Sequence, residues 1–275
     1  MRVVVLIDNT SDHDTTLTSE RGLSMYIEYE RNRILLDTGL SGSFIDNAHS
    51  LGIDLTHLDF CFLSHGHNDH SGGLGRFLET IPNTPVYLSE SICHERYFSS
   101  RHTFKRNLSI DGNLFQRFSG RFVPLKESRL IAPYIAAVCC RRQDYACPQG
   151  NVFLSKEKDG MEMPDDFSHE MSLAFKTTKG LIVFSSCSHH GAVNIMKSCE
   201  EFTGGHTITH YIGGLHFVDC NKTEEEVIKF NQVMHSEYAH TTLITGHCTS
   251  DKAKDFLKTS DLDIRFFYTG CEIII

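Results

Sequence analysis

The segment that decides the fold is Ser64-His65-Gly66-His67-Asn68-Asp69-His70-Ser71-Gly72-Gly73, which directly follows the apolar segment Phe60-Cys61-Phe62-Leu63. It places three imidazoles and one carboxylate within six residues. In an extended segment residues two apart share a side, so His65 and His67 can face one ion. A turn after them then directs Asp69 and His70 toward a second position. The segment therefore predicts a metal site with places for two ions.

The donor types in this segment restrict the metal. Imidazole and carboxylate groups suit Zn²⁺, and they also accept Fe and Mn. We expect about two Zn²⁺ ions per chain, with Fe or Mn as alternatives. The chain holds 17 histidines in 275 residues, well above the roughly two per hundred of an ordinary protein.

Three further histidines lie just past the carboxyl ends of apolar strands, each close to glycine. The predicted strand 181–186 leads to His189, the strand 243–245 leads to His247, and the strand 208–213 leads to His216. Open α/β sheets place ligand sites at this position. We predict His189 and His247 as metal ligands, while His216 fits metal ligation and substrate contact about equally well.

Composition and charge exclude several classes of protein. With 26 basic and 35 acidic residues the net charge is −9, which speaks against a nucleic-acid partner. No apolar run approaches the ~20 residues that cross a bilayer. Ten cysteines without a Cys-x-x-Cys pair favour a reduced, cytoplasmic protein. Cys139, Cys140 and Cys147 are interpreted as small packed side chains rather than as a second metal or redox site.

The apolar pattern indicates alternating strands and helices. A hairpin is expected over Ser24 to Glu30 and Arg33 to Asp37, and a helix over Leu74 to Ile81. We expect loop and irregular helix over Arg101 to Lys126, and a strand over Asn151 to Ser155. Each half of the chain carries hairpins followed by strand and helix units. Because no linker interrupts the chain, we predict one domain over residues 1–275 with two sheets covered by helices.

These residues resemble the metallo-β-lactamase superfamily, whose signature His-x-His-x-Asp-His is matched by His65, His67, Asp69 and His70. More narrowly, the motifs from Ile7 to Thr249 resemble the 7,8-dihydropterin-6-yl-methyl-4-(β-D-ribofuranosyl)aminobenzene 5′-phosphate synthase-like subfamily. The resemblance implies an α/β fold, the four-layer αββα sandwich, with a binuclear centre at the edge between the sheets. It also implies that Asp37 supports the metal ligands by accepting hydrogen bonds.

The sequence departs from the superfamily at two places. Many members carry a bridging aspartate where this chain has Ser186-Cys187. Either Cys187 contributes a thiolate there or the bridge is solvent alone. Many members also place a histidine before that strand, so His169 competes with His189 for the first metal. We favour His189, because the Cys-Ser-His segment of the subfamily is intact.

The resemblance and the donor set lead to one functional hypothesis. One ion is assigned His65, His67 and His189, and the other ion is assigned Asp69, His70 and His247. We expect a metal-dependent hydrolase or transferase that acts through metal-activated hydroxide on a phosphate-containing or pterin-like small molecule. Asp69 would orient the hydroxide, and His216 would act on the substrate.

The alternative is a non-catalytic metal-bound sensor or binding module on the same fold. A diiron electron-transfer member is expected to have glutamate where His67 stands. We expect a small-molecule substrate, no nucleic-acid or membrane partner, and allow for a homo-oligomer.

Overall fold

Apolar residues dominate most of the strands. The structure is a computed structural model, and it describes residues 1–12, 16–101, 104–218 and 222–275. The strands are β1 (Arg2–Ile7), β2 (Ser24–Tyr29), β3 (Asn32–Leu36), β4 (Phe60–Phe62), β5 (Val86–Ser89), β6 (Arg96–Ser99), β7 (Arg106–Asn107), β8 (Phe122–Leu125), β9 (Arg129–Ala132), β10 (Ile135–Cys139), β11 (Leu154–Lys158), β12 (Met161–Pro164), β13 (Met171–Thr177), β14 (Gly180–Phe184), β15 (Ile208–Ile212), β16 (Thr242–Thr245), β17 (Ile264–Phe266) and β18 (Glu272–Ile274). The helices are α1 (Phe44–Ser50), α2 (Asn68–Ser71), α3 (Leu74–Thr80), α4 (Asn113–Arg117), α5 (Ala192–Thr203), α6 (Thr223–Glu237) and α7 (Asp251–Leu257). None of the helices in these residues is long and apolar enough to cross a membrane.

The chain forms two compact units. Unit 1 comprises residues 1–126, 154–165 and 267–275, and unit 2 comprises residues 127–153 and 166–266. Each unit has a seven-stranded sheet and a hydrophobic core cluster of its own. The prediction of a single domain over residues 1–275 stays a prediction.

The large sheet of unit 1 has the strand order β18-β1-β2-β3-β4-β5-β8. Strands β18 to β3 pair antiparallel, whereas β3, β4, β5 and β8 run parallel. Helices α1 and α3 cover one face, where Phe44 and Phe77 pack against Leu6, Leu35 and Leu63. Because the parallel strands share one direction, the loops after β3 and β4 leave the sheet at the same edge.

A second sheet of unit 1 has the order β12-β11-β6-β7, and part of it differs from the sequence-based expectation. Strand β11 begins at Leu154, after a 3₁₀ turn over Gln149–Phe153 that occupies most of the predicted strand. On its buried side the charged Lys156 reaches Glu95, with Nζ and Oε2 3.1 Å apart. A buried ion pair breaks the apolar alternation, which is why the pattern places this strand wrongly.

Unit 2 repeats the plan of the first sheet. Its order is β17-β16-β15-β14-β13-β10-β9, with antiparallel pairing from β9 to β14 and parallel pairing from β14 to β17. Helix α5 contacts β10, β13, β14 and β15, and α6 contacts both α5 and α7. The core includes Val183, Met196, Tyr211 and Val227. The loops after β14, β15 and β16 therefore leave this sheet at one edge.

Candidate metal centre

The histidine segment of unit 1 begins directly after β4. His67 has extended backbone angles at the start of α2, and His70 lies inside that short helix. The ring centroids of His65 and His67 are 4.7 Å apart, and those of His65 and His70 are 4.2 Å apart. All three rings are buried. Asp69 is partly exposed, and its Oδ2 lies 3.6 Å from Nε of Arg21.

Asp37 fixes this segment through three hydrogen bonds. It follows β3, has a φ of 58° and is fully buried. Its carboxylate accepts hydrogen bonds of 2.7 Å each from the Ser64 amide, the Ser64 hydroxyl and Nδ1 of His70. Burial by itself lowers the pKa of His70, but the Asp37 carboxylate outweighs burial and raises that pKa above its ordinary value.

These bonds also determine which ring nitrogens carry protons. Because the Ser64 hydroxyl donates its hydrogen to Asp37, it accepts from Nδ1 of His65, 2.8 Å away. Both His65 and His70 then carry the proton on Nδ1, and Nε2 of each ring keeps its lone pair. Nδ1-protonated imidazoles held by a carboxylate are the form that binds metals through Nε2.

Two residues beside the segment were not singled out from the sequence. Asp165 has its Oδ2 3.7 Å from Nε2 of His67. The Tyr97 ring packs edge-on against His67, and a Cβ at Gly66 would lie 2.3 Å from Cε2 of Tyr97. Gly66 is therefore needed for this packing. Tyr97 has no ligand-type motif beside it in the sequence, whereas Asp165 precedes the candidate ligand His169 by four residues, a signal that could have marked it.

The loop after β14 carries Cys187 and His189 in unit 2. His189 is held by Asn151, whose Nδ2 donates to the His189 carbonyl at 2.7 Å. Because Nδ2 of Asn151 is the donor, its Oδ1 accepts from Nδ1 of His189, 3.1 Å away. Nε2 of His189 is therefore the nitrogen with the lone pair. Phe167 stacks on the His189 ring, with centroids 4.5 Å apart.

Glu170 holds the backbone of the same loop. Its carboxylate accepts hydrogen bonds from the amides of His189 (2.8 Å) and His190 (3.0 Å) and from Nδ1 of His190 (2.8 Å). Burial raises the pKa of Glu170, but the hydrogen bonds and charge of His190 outweigh it and lower the pKa. His169, its chain neighbour, is fully buried. The choice between His169 and His189 as ligand stays open.

The other two predicted strand-end histidines also lie in unit 2. His216 has a φ of 51° and His247 a φ of 50°. The ring centroids of His216 and His189 are 4.2 Å apart. Nε2 of His247 lies 3.4 Å from Sγ of Cys187. The loops after β14, β15 and β16 thus bring their predicted residues together.

A glycine makes this close approach of the loops feasible. Gly213 has a φ of 144°, and a Cβ built there would lie 1.8 Å from the Ser185 carbonyl oxygen. The Ser188 hydroxyl, at a residue with a φ of 63°, bonds to Tyr211 and to the Gly214 carbonyl. Side chains larger than hydrogen at Gly213 would force the two strand ends apart.

The three cysteines interpreted as packed side chains differ in burial: Cys139 and Cys140 are partly buried, and Cys147 is exposed. Among the described residues Cys139, Cys140 and Cys147 fall in none of the groups of three or more metal-type donors. Cys140 lies 3.5 Å from the Ser198 hydroxyl, and Cys147 lies 3.6 Å from the His190 carbonyl. Burial raises the pKa of Cys140 to about 11, so this sulfur is a thiol at neutral pH.

Known proteins resemble the chain in sequence and in fold. The model of the metallo-β-lactamase superfamily matches residues 18–137. A solved metal-dependent hydrolase of the β-lactamase superfamily superposes with a TM-score of 0.83 at 27% identity, covering 100% of this chain and 99% of its own. The chain has the metallo-β-lactamase fold. The predicted resemblance to this superfamily and the prediction of an enzyme are confirmed.

Two curated relatives refine the resemblance. The 7,8-dihydropterin-6-methyl-4-(beta-D-ribofuranosyl)-aminobenzene-5′-phosphate synthase of Methanocaldococcus jannaschii is 27% identical, with 98% of this chain and 95% of the relative covered. The anaerobic nitric oxide reductase flavorubredoxin of Vibrio vulnificus is 38% identical, but over only 29% of this chain. The sequence of this chain thus resembles that of the synthase along nearly its whole length.

The donor chemistry fits a metal ion. In unit 1 the buried Asp37 holds Nδ1 of His70, and in unit 2 the half-buried Asn151 holds Nδ1 of His189, which leaves Nε2 of each ring as the donor atom. The assignment of individual ligands stays a prediction.

Proposed function

We propose that the protein is a metal-dependent hydrolase or transferase that uses a binuclear centre on a phosphate-containing or pterin-like small molecule. The observation that carries the proposal is the protonation pattern of the motif. Asp37 accepts from His70 directly and from His65 through Ser64, so both rings offer Nε2. Holding both rings in the tautomer that offers Nε2 is typical of a metal site and is not expected in an exposed polar loop.

The proposed ligands are those predicted from the sequence. His65, His67 and His189 would hold one ion, and Asp69, His70 and His247 would hold the other. When bound, the ions supply Lewis acidity and lower the pKa of a coordinated water toward ~7. We propose Zn²⁺ in both places, with Fe or Mn as alternatives.

Two side chains would act on the reacting groups. Asp69 would orient the nucleophile, and Arg21 at 3.6 Å restrains its carboxylate. His216 would hold an anionic substrate group or donate a proton to the leaving group. The ring of His216 lies against that of His189, so its proposed position is beside a ligand. These roles use the partly exposed acid and the strand-end histidine that has no place in the six-ligand set.

The proposed substrate class is suggested by the relative that matches this chain along nearly its whole length. The synthase of Methanocaldococcus jannaschii is named for a product with a pterin, an aminobenzene and a ribose phosphate. Similarity at 27% identity does not transfer that reaction, because one fold hosts many chemistries. We therefore propose the broader class, small molecules with a phosphate ester or a pterin-like ring.

The experiment is elemental analysis joined to an activity screen. The full chain is purified without chelator and supplied with Zn²⁺, Fe²⁺ or Mn²⁺ in turn. We expect about two transition-metal ions per chain and chelator-sensitive hydrolysis of generic phosphodiesters or lactones. Less than roughly half an ion per chain would contradict the proposal. Two bound ions without turnover of any phosphate, lactone or pterin substrate would favour the sensor or binding module.

A further inference from the structure

A group of sulfur and nitrogen donors lies wholly within unit 2. Cys187, His247 and Cys248 each offer one ligand atom, and the three atoms lie within 4.8 Å of one another. Cys187 and His247 are buried, and Cys248 is partly buried. His247 is a proposed ligand, but Cys248 has no part in the six-ligand set. We infer that Cys187 and Cys248 both supply thiolates to the ion that His247 holds, so that a Cys₂His set replaces the set of Asp69, His70 and His247 proposed above for this ion.

The distances suit coordination of one ion. For tetrahedral zinc with Zn–S of about 2.3 Å and Zn–N of about 2.05 Å, neighbouring sulfur and nitrogen ligands stand about 3.6 Å apart. Sγ of Cys187 and Nε2 of His247 stand 3.4 Å apart. The structure thus holds this pair close to the edge length of the coordination tetrahedron.

Backbone groups of the loop after β15 lie close to the sulfur of Cys248. The amide of His216 donates a hydrogen bond to Sγ of Cys248 at 3.2 Å. Hydrogen bonds from amides stabilise a sulfur that carries negative charge. A Cβ at Gly214 would lie 2.4 Å from Sγ of Cys248, so only glycine leaves space for the sulfur. Sγ of Cys248 also lies 3.6 Å from the Cys187 carbonyl oxygen, so the two cysteine loops approach each other closely.

The inference rests on the proposed function, because it specifies the ligands of one of the two ions. It also restricts the metal. Thiolates are soft ligands that favour zinc and, among probes, cobalt and cadmium over manganese. A sulfur-rich donor set moves the preference of this site away from hard cations. We therefore expect zinc rather than manganese in the position held by His247.

The test is cobalt substitution of the full-length protein, read by absorption rather than by turnover. Sulfur-to-cobalt charge transfer in the near ultraviolet reports thiolate ligands directly. We expect this band in the wild type and a loss of about half of it in Cys187→Ser and in Cys248→Ser. The double variant should lose it entirely. Cys147→Ser is the matched control, because Sγ of Cys147 also lies 3.6 Å from a backbone carbonyl but belongs to no donor group.

A second measurement avoids any variant that fails to fold. Wild-type protein is alkylated with iodoacetamide with and without Zn²⁺, and the modified cysteines are mapped by mass spectrometry. We expect Zn²⁺ to slow modification of Cys187 and Cys248 at least about tenfold and to leave Cys147 unchanged. Equal rates with and without zinc would overturn the inference.

The outcomes separate this inference from the proposed function. Stoichiometric cobalt and chelator-sensitive turnover without a charge-transfer band would overturn the thiolate set and leave the metallohydrolase proposal intact. An unchanged band in folded Cys248→Ser would overturn the assignment of Cys248. A chain that binds neither cobalt nor zinc would contradict the proposed function itself.

Discussion

The two units use one sheet plan but collect their polar residues differently. In each seven-stranded sheet an antiparallel part precedes a parallel part along the chain, except that the last strand, β18, joins the antiparallel part of unit 1. Unit 1 presents four candidate ligands from one short segment after β4, supported by Asp37 after β3. Unit 2 presents one residue or a pair from each of three loops, after β14, β15 and β16.

The difference changes what supports each histidine. In unit 1 a single buried carboxylate sets the protonation of two rings, directly and through Ser64. In unit 2 the His189 ring depends on Asn151, and its backbone depends on Glu170. A site with one shared support is expected to fail as a unit, whereas a site with separate supports fails ligand by ligand. The following variants test that contrast.

The largest effect is expected from His67→Ala, which removes a proposed ligand from the unit 1 segment. Turnover should fall by roughly 10⁴-fold or more, because the bound metal contributes several kcal/mol to catalysis. Elemental analysis should show metal loss while circular dichroism stays that of a folded protein. His57→Ala is the control, since this exposed histidine pairs with the nearby Asp54 and belongs to no proposed ligand set. Full metal retention in His67→Ala would show that the segment is not the site.

His216→Ala tests the strand-end histidine of unit 2 that we place on substrate. Turnover should fall by roughly 10²–10⁴-fold, the range for loss of a positioned acid or base. The metal content should stay normal. The exposed His235 supplies the control, His235→Ala. If metal content falls together with turnover, His216 is a ligand and one of the six assigned residues is not.

Asp37→Ala removes the shared support of unit 1. Metal affinity, measured by competition with a chromophoric chelator, should weaken by roughly 10–100-fold. Because His65 and His70 both depend on this carboxylate, we expect a value near the upper end of that range. Asp46→Ala, at an exposed carboxylate paired with Arg76, should leave affinity unchanged. Wild-type affinity in Asp37→Ala would end the idea of a shared support.

Asn151→Ala removes a support that serves His189 alone, so the smallest effect is expected here. Metal affinity should fall by about tenfold, at the lower end of the range for such residues. The ¹⁵N shifts of the His189 ring should show the proton on Nδ1 in the wild type and a mixture of tautomers in the variant. Asn113→Ala, at an exposed site, is the control. A loss as large as that of Asp37→Ala would remove the contrast between the units.

The parts of the fold that the sequence predicts are those with strong local signals. The hairpin expected over residues 24–30 and 33–37 forms as β2 and β3, and the helix expected over residues 74–81 forms as α3. The segment from Arg101 to Lys126, expected as loop and irregular helix, contains the short helix α4 as well as β7 and β8, while residues 102–103 lie outside the described residues. Strand β7 has only two residues, too few to show any alternation.

The residues of the candidate site also differ in how strong a local signal they have in the sequence. The unit 1 histidines lie two and three residues apart in one contiguous motif. They and Asp37 could therefore be predicted as site residues from the sequence alone. Asn151, Glu170 and Asp165 could not, because their importance comes from contacts with residues at least 19 positions away. Cys248 follows the predicted ligand His247 in the sequence. Its sulfur becomes part of a group of three donors only because Cys187 approaches from another loop.

Left-handed backbone conformations at the loops have a thermodynamic consequence. Among the described residues nine that are not glycine have positive φ, and Asp37, Ser188, His216 and His247 are four of them. Each such residue costs roughly 1–2 kcal/mol relative to an ordinary conformation. Glycine would relieve that cost at any of the four, but it would remove a hydrogen-bonding or imidazole group. Substitution by glycine at these four positions would therefore raise the melting temperature but remove groups of the candidate site. Selection for a higher melting temperature alone would favour loss of these site residues.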